Sequence, residues 1–379
     1  MLILLLAFAV SAAVTLLIVR SSKVHARHSA DHDFSKPQKF HTVAVPRIGG
    51  LGIVLALLAV AVALRWTWGA QESQYFLVLL ACSAPAFLAG VVQDFTEAIT
   101  PRGRLVATAL AAVLAFGVMD AAIRETAIPG LDWVASFGAG ALLITVVAVA
   151  GIANAVNIID GFNGLASMCV VLMLAALAYV SFQVEDPLIA SMALAGIGAV
   201  LGFFLWNFPA GLIFLGDGGA YFLGFFVSEL SILLLQRNQG EVSPLFPLLV
   251  CVYPVFETLF SIYRRRYLRA AAPSMPDGIH LHSLIYRRVM RWAVGNRSAK
   301  ALTRRNSMTS PYLWVLCMSS IVPAALFWNN TGVLAGFLAL FGLSYIVLYW
   351  RIVRFKSPRW LRFGVSQSRP SSQADNQGT

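Results

Sequence analysis

Apolar runs separated by short polar stretches alternate along nearly the whole chain. Eleven carry at most one charged residue and are long enough, or nearly so, to cross a bilayer: residues 2–19, 48–64, 75–92, 105–119, 133–153, 164–180, 188–206, 218–236, 243–262, 311–329 and 331–350. A spanning helix needs about 17–25 residues, and the fourth run is the shortest of the set. The pattern predicts an all-α, polytopic membrane protein of about eleven transmembrane helices. No stretch remains for a large soluble domain. Residues 1–354 read as one domain, and the polar segment 355–379 reads as a disordered tail.

Composition agrees. Of 379 residues, 59% are hydrophobic and only 12% charged, against about 25% charged in soluble domains. Basic residues set the orientation. With the N-terminus outside, eleven spans place segments 20–47, 93–104, 154–163, 207–217, 263–310 and 351–379 in the cytoplasm. Those segments carry 25 of the 28 Lys and Arg residues, leaving Arg65, Arg124 and Arg237 outside. This asymmetry is what the positive-inside rule expects, and it puts the C-terminus in the cytoplasm. The net charge of +11 is accounted for by basic loops beside anionic lipid, so no nucleic-acid partner is implied. Cys82, Cys169, Cys251 and Cys317 all fall inside spans without metal-type spacing and read as small buried hydrophobes. The first apolar run lacks a preceding basic segment and is followed by Arg20, Lys23 and Arg27, which predicts a retained helix rather than a signal peptide.

Polar chemistry gathers on the cytoplasmic side. Asn154, Asn157, Asp160 and Asn163 recur every third residue between two apolar runs, with Gly161 and Gly164 among them. If the preceding helix continues through the first three, that spacing puts them near one face. An acid at the membrane edge is expensive and marks a functional-site hypothesis; a polar turn accounts for the glycines alone. Asp94 closes the third run, where a capping role is an equal reading. Asp217 stands among Gly216, Gly218 and Gly219 at a helix start, a geometry suited to a hard cation or a phosphate, with which a plain N-cap can coexist. Glu229 and Glu257 fall within spans and read as helix–helix hydrogen-bonding acids outside the site. All six histidines are cytoplasmic, among them His41, His280 and His282. The pair His280 and His282, near Asp277, suits metal or phosphate, or is simply exposed. The basic amphipathic piece 284–294 suggests a helix lying on the membrane surface.

Laid out in order, these residues resemble the polyprenyl-phosphate N-acetylhexosamine-1-phosphate transferases. Asn154-Ala-Val-Asn157-Ile-Ile-Asp160-Gly161-Phe162-Asn163-Gly164-Leu165 is similar to that family's N-A-x-N-x-x-D-G-x-D-G-L. Phe214-Leu-Gly-Asp217-Gly-Gly is similar to F-M-G-D-x-G, and Asn207-Phe-Pro209-Ala to its Asn-x-Pro-Ala element. Asp277 to Ser283 resembles the His-x-His-His signature, and Val45 to Leu51 the Pro-x-x-Gly-Gly entry of the second span. Three positions depart: Gln93 precedes Asp94 where the family has two acids, Asn163 replaces an acid, and Ser283 replaces a histidine. The departures point away from the peptidoglycan branch and toward surface polysaccharides.

The resemblance implies transfer of a sugar-1-phosphate from a UDP-sugar to undecaprenyl phosphate, with release of UMP, at the cytoplasmic face of a bacterial inner membrane. It implies Mg²⁺, with Mn²⁺ as a substitute, held by Asp217 and assisted by Asp94, with Asp160 as the third catalytic acid. Asn154, Asn157, Asn163, Asn207, Phe214, His41, His280 and His282 would contact substrate, with Asn207 and Phe214 toward the uracil. The oligomeric state is open, a homodimer included. A transporter or flippase, and a catalytically impaired scaffold, are the rival classes. Transporters place polar groups near the midplane, whereas here they gather at one face.

Overall fold

The computed structural model describes residues 1–21, 45–268, 280–290 and 299–354. His41, Asp277 and the expected tail at 355–379 lie outside them. The described chain is helical: α1 (Leu2–Arg20), α2 (Gly49–Thr67), α3 (Ala70–Cys82), α4 (Ala84–Thr96), α5 (Pro101–Met119), α6 (Pro129–Ala135), α7 (Gly138–Ile159) and α8 (Leu165–Gln183). There follow α9 (Pro187–Asn207), α10 (Gly216–Arg237), α11 (Leu245–Val250), α12 (Val252–Tyr263), α13 (Leu281–Leu284), α14 (Ala299–Leu326) and α15 (Thr331–Val353).

Nine of these are long and apolar enough to span a bilayer, and ten if α3 and α4, bent by 46°, count as one. The bend has a local cause. Pro85 has no N–H for the Ala81 carbonyl one turn back, and Ser83 Oγ satisfies the Leu80 carbonyl at 2.6 Å. The expected ninth span, at 243–262, differs: it is two helices of 6 and 12 residues broken at Cys251. Pro254 removes the donor for the Val250 carbonyl, so the ladder stops there. The piece expected on the membrane surface also differs. From Leu281 to Met290 its apolar side chains are buried in the protein, and Arg288 donates to the last carbonyls of α15, at Ile352 and Val353.

Helix α10 is the centre, with 94% of its spanning window buried. α2, α4, α7 and α8 surround it. Outer helices such as α1 and α15 are buried over 17% and 22% of theirs and leave Leu5, Leu17, Leu340 and Leu343 exposed to lipid. Around the start of α10 the packing is backbone on backbone. A Cβ on Gly90 would lie 2.5 Å from Gly218, and one on Gly50 would overlap Gly219. Gly50→Ala is therefore expected to lower stability by about 1–3 kcal/mol, the range for overpacking, read as a drop in thermal unfolding temperature in detergent. It should also displace Asp217.

Candidate active site

Polar side chains converge where α4 and α7 end and α5 and α10 begin. The entry to α2 pairs with the segment before α10: Phe214 N donates to Pro46 O at 2.8 Å, and Gly49 N and Gly50 N donate to Phe214 O and Leu215 O, each at 3.0 Å. Gly216, at φ +79°, has room for no side chain, because a Cβ would meet the Arg47 carbonyl and Asp94 Oδ2. That turn delivers Asp217 to the first turn of α10.

Asp94 caps the helix from outside. Its Oδ1 accepts from Asp217 N at 2.8 Å and its Oδ2 from Gly218 N at 2.9 Å. A carboxylate there satisfies two orphan donors and opposes the positive end of the helix dipole. The plain cap thus falls to Asp94 and leaves Asp217 for other work. Asp94→Asn would set an amide N–H against a backbone N–H. An expected cost of about 1–3 kcal/mol would appear in thermal unfolding, along with loss of turnover.

Asp217 Oδ1 accepts from Asn157 Nδ2 at 2.7 Å, and Oδ2 is ion-paired with Arg104 of α5. Arg104 also lies over the Tyr221 ring, 5.7 Å from its centroid, and Tyr221 OH donates to Asn154 Oδ1 at 3.1 Å. Asn154 and Asn157 share a face of α7, which continues to Ile159, so the every-third-residue pattern was a helical one. Asp160 follows at the helix end. Burial, and then the Asp94 charge, raise its carboxyl pKa well above the ordinary value, opposed by Arg47.

The histidines close another side. A Cβ on Gly161 would lie 3.8 Å from His282 Nε2, and Phe162 meets the His282 ring edge-on at 5.5 Å. His280 and His282 stack with centroids 5.0 Å apart. Behind them is Glu257, which is 1% exposed. It lies 3.1 Å from His280 Nδ1 and accepts from Leu281 N at 2.9 Å and Tyr345 OH at 2.8 Å. Read from sequence as an acid outside the site, Glu257 is the anchor of the histidine segment. Glu229, of which the same was expected, has no hydrogen-bond partner among the described residues.

The structure therefore brings together Asp94, Asn154, Asn157, Asp160 and Asp217, with His282 beside Gly161 and Phe162 and His280 stacked on His282. Phe214 lies half-buried beside the entry to α2. Asn163 and Asn207 sit inside the wall, 2% and 5% exposed. Asn207 Oδ1 accepts from Gly164 N at 2.6 Å and its Nδ2 donates to Ile213 O at 2.7 Å. Sequence reasoning missed Arg104, Tyr221 and Glu257. Arg104 carried a signal, a basic residue one turn into a helix that follows Asp94; Tyr221 looked like core, and Glu257 like an acid that only joins two helices.

Among the described residues no three His, Cys, Asp or Glu side chains form a metal cage. Asp217 offers a carboxylate that fits a hard cation, its two oxygens being met here by the Asn157 amide nitrogen and the Arg104 guanidinium. Mg²⁺ keeps several waters and is held by one or two carboxylates together with substrate phosphates.

The profile of glycosyl transferase family 4 matches residues 76–235. The chain is 28% identical, over 92% of its length and 90% of the relative's, to a probable undecaprenyl-phosphate N-acetylglucosaminyl 1-phosphate transferase of Bacillus subtilis. It is also 28% identical to an undecaprenyl-phosphate alpha-N-acetylglucosaminyl 1-phosphate transferase of Thermotoga maritima, over 71% of this chain and 77% of that one. With a phospho-N-acetylmuramoyl-pentapeptide-transferase of Lactococcus lactis the identity is 29%, over 50% of this chain and 59% of the relative. The site lies on segments within or beside the region that is similar to glycosyl transferase family 4.

Proposed function

We propose that this protein transfers an N-acetylhexosamine-1-phosphate from a UDP-sugar to undecaprenyl phosphate on the cytoplasmic face of a bacterial inner membrane, releasing UMP. The observation that carries the reading is Asp217, held between Asn157 and Arg104 at the capped start of α10. It puts a carboxylate, a cation and amides together at the mouth of a membrane bundle. The end-to-end similarity to an N-acetylglucosaminyl 1-phosphate transferase, against half-chain similarity to the pentapeptide enzyme, favours an N-acetylhexosamine donor without a peptide.

Phosphoryl transfer depends mainly on positioning and on neutralising charge around an in-line transition state. In the proposed step a lipid-phosphate oxygen attacks the donor's sugar-bearing phosphorus. The bond from that phosphorus to the bridging oxygen breaks, and UMP leaves with that oxygen. Asp217 would hold Mg²⁺, Mn²⁺ serving in its place, and Asp160 is the third acid of the site. The bound ion would screen the diphosphate charge. Arg104, the cation paired with Asp217, is placed to take a phosphate oxygen. The attacking lipid phosphate has a second pKa of about 6, so it is largely a dianion at neutral pH and no strong base is needed. Asp94, fully engaged on α10, keeps Asp217 in place rather than taking a proton.

The test is to incubate purified protein with radiolabelled UDP-N-acetylhexosamines, undecaprenyl phosphate and Mg²⁺. Labelled lipid together with UMP is the expected product. Absence of labelled lipid with every such donor would favour a scaffold or flippase.

A further inference from the structure

The turn that follows Asp160 is clamped on every side. Asn163 N donates to Asn306 Oδ1 at 2.8 Å, and Asn163 O accepts from Ser310 Oγ at 2.6 Å. Gly164 N donates to Asn207 Oδ1 at 2.6 Å, and Gly164 O accepts from Trp314 Nε1 at 3.1 Å. All four backbone polar groups of two successive residues thus end on side chains, three of them from α14. The Asn163 side chain enters the same place. Its Nδ2 lies 3.2 Å from Ser307 Oγ and 3.3 Å from Pro209 O, while Ser307 Oγ itself donates to Pro209 O. Asn306, Ser307 and Ser310 are 0–3% exposed. They form a polar notch in a helix whose ladder is already interrupted, because Pro311 offers no N–H to the Ser307 carbonyl.

The same helix grips the histidine segment. Arg305 Nε donates to Tyr286 O at 3.1 Å and its guanidinium lies 4.3 Å from that ring's centroid. Tyr286 in turn meets Phe162, at 5.4 Å between centroids. One helix therefore holds both the Asp160–Gly164 turn and the strand of chain that carries His282.

We infer that Asn163 is a positioning residue: seated in the notch of α14, it fixes the Asp160–Gly161 turn against His282 and touches no substrate. The amide is required because it faces a carbonyl. A carboxylate at this position would point an acceptor at Pro209 O, and a buried acceptor without a donor is costly. Pro209 O cannot adapt, and Ser307 already donates to it. The inference deepens the transferase reading and rests on it for its kinetic half only.

The test combines turnover with hydrogen exchange on the full-length protein in detergent. Asn163→Ala, Asn163→Asp and Ser307→Ala are expected to lower kcat about tenfold, with the UDP-sugar KM changed by less than about twofold, the pattern of a lost transition-state arrangement. Ser307→Thr, which keeps the hydroxyl, should restore most of the rate. The double variant Asn163→Ala with Ser307→Ala should be no slower than the slower single, since groups in one network are not additive. A KM raised about tenfold or more by Asn163→Ala, with Ser307→Ala silent, would show a substrate ligand instead and overturn the inference. Amide exchange at residues 160–164 needs no turnover. Faster exchange in Ser307→Ala and Ser310→Ala is expected, and unchanged exchange in both would refute the notch even if the wild type transfers no sugar. Were Asn163→Ala lost on solubilisation, the three serine variants would carry both arms.

Discussion

Asp217→Asn is expected to lower Mg²⁺-dependent UMP release by at least about a hundredfold, as removal of a group that stabilises developing charge typically does. Raising the Mg²⁺ concentration should not recover it. The exchange removes a charge while keeping shape, and Asn157 still finds an oxygen to bond. What it loses is the ion pair with Arg104 and the anionic site for a hard cation. Folding should survive, because the start of α10 is capped by Asp94 and not by Asp217. The variant is therefore expected to insert, solubilise and unfold near the wild-type temperature. Wild-type turnover in this variant would remove Asp217 from the proposed metal role.

The second large effect is expected at Glu257. Glu257→Leu would leave Tyr345 OH, Leu281 N and His280 Nδ1 without their shared acceptor in a place that water does not reach. Breaking such a buried cluster by removing one partner costs about 3–5 kcal/mol, so this variant should unfold at a clearly lower temperature or fail to accumulate. Glu257→Gln keeps one acceptor oxygen and shape, and should be milder in stability. Turnover should still fall, because an amide holds His280 less firmly than a carboxylate does. Thermal unfolding and initial rates measured on the same preparations separate the two. Equal stability and equal rate in both variants would show that the histidine segment does not depend on this acid.

Much of this was legible in the sequence because membrane helices write themselves as long apolar runs. Asp217 stood out as the one acid among three glycines, and Asn154 and Asn157 through a spacing that only a continuing helix turns into a shared face. What stayed hidden depends on distance in the chain. Glu257 lies 23 residues before His280, and Asn163 lies 143 before Asn306; no local pattern links either pair. The same holds for Asn207 and Asn163, whose polarity suggested ligands although their amides hold the wall together. The break at Cys251 was written in Pro254, but hydrophobicity counts apolar residues and is blind to a missing donor.

The burial of α10 has a consequence for the lipid surroundings. A helix that touches little lipid feels little of a change in bilayer thickness. Mismatch is taken up by tilt and anchoring of the helices that do, here α1 and α15 with their exposed leucines. Asp217 rides on the sheltered helix, so the depth of the reacting phosphates is set by the protein rather than by acyl-chain length. Reconstitution in shorter- and longer-chain lipids should leave the dependence on the water-soluble donor nearly constant, and any variation should fall on how the lipid acceptor is reached.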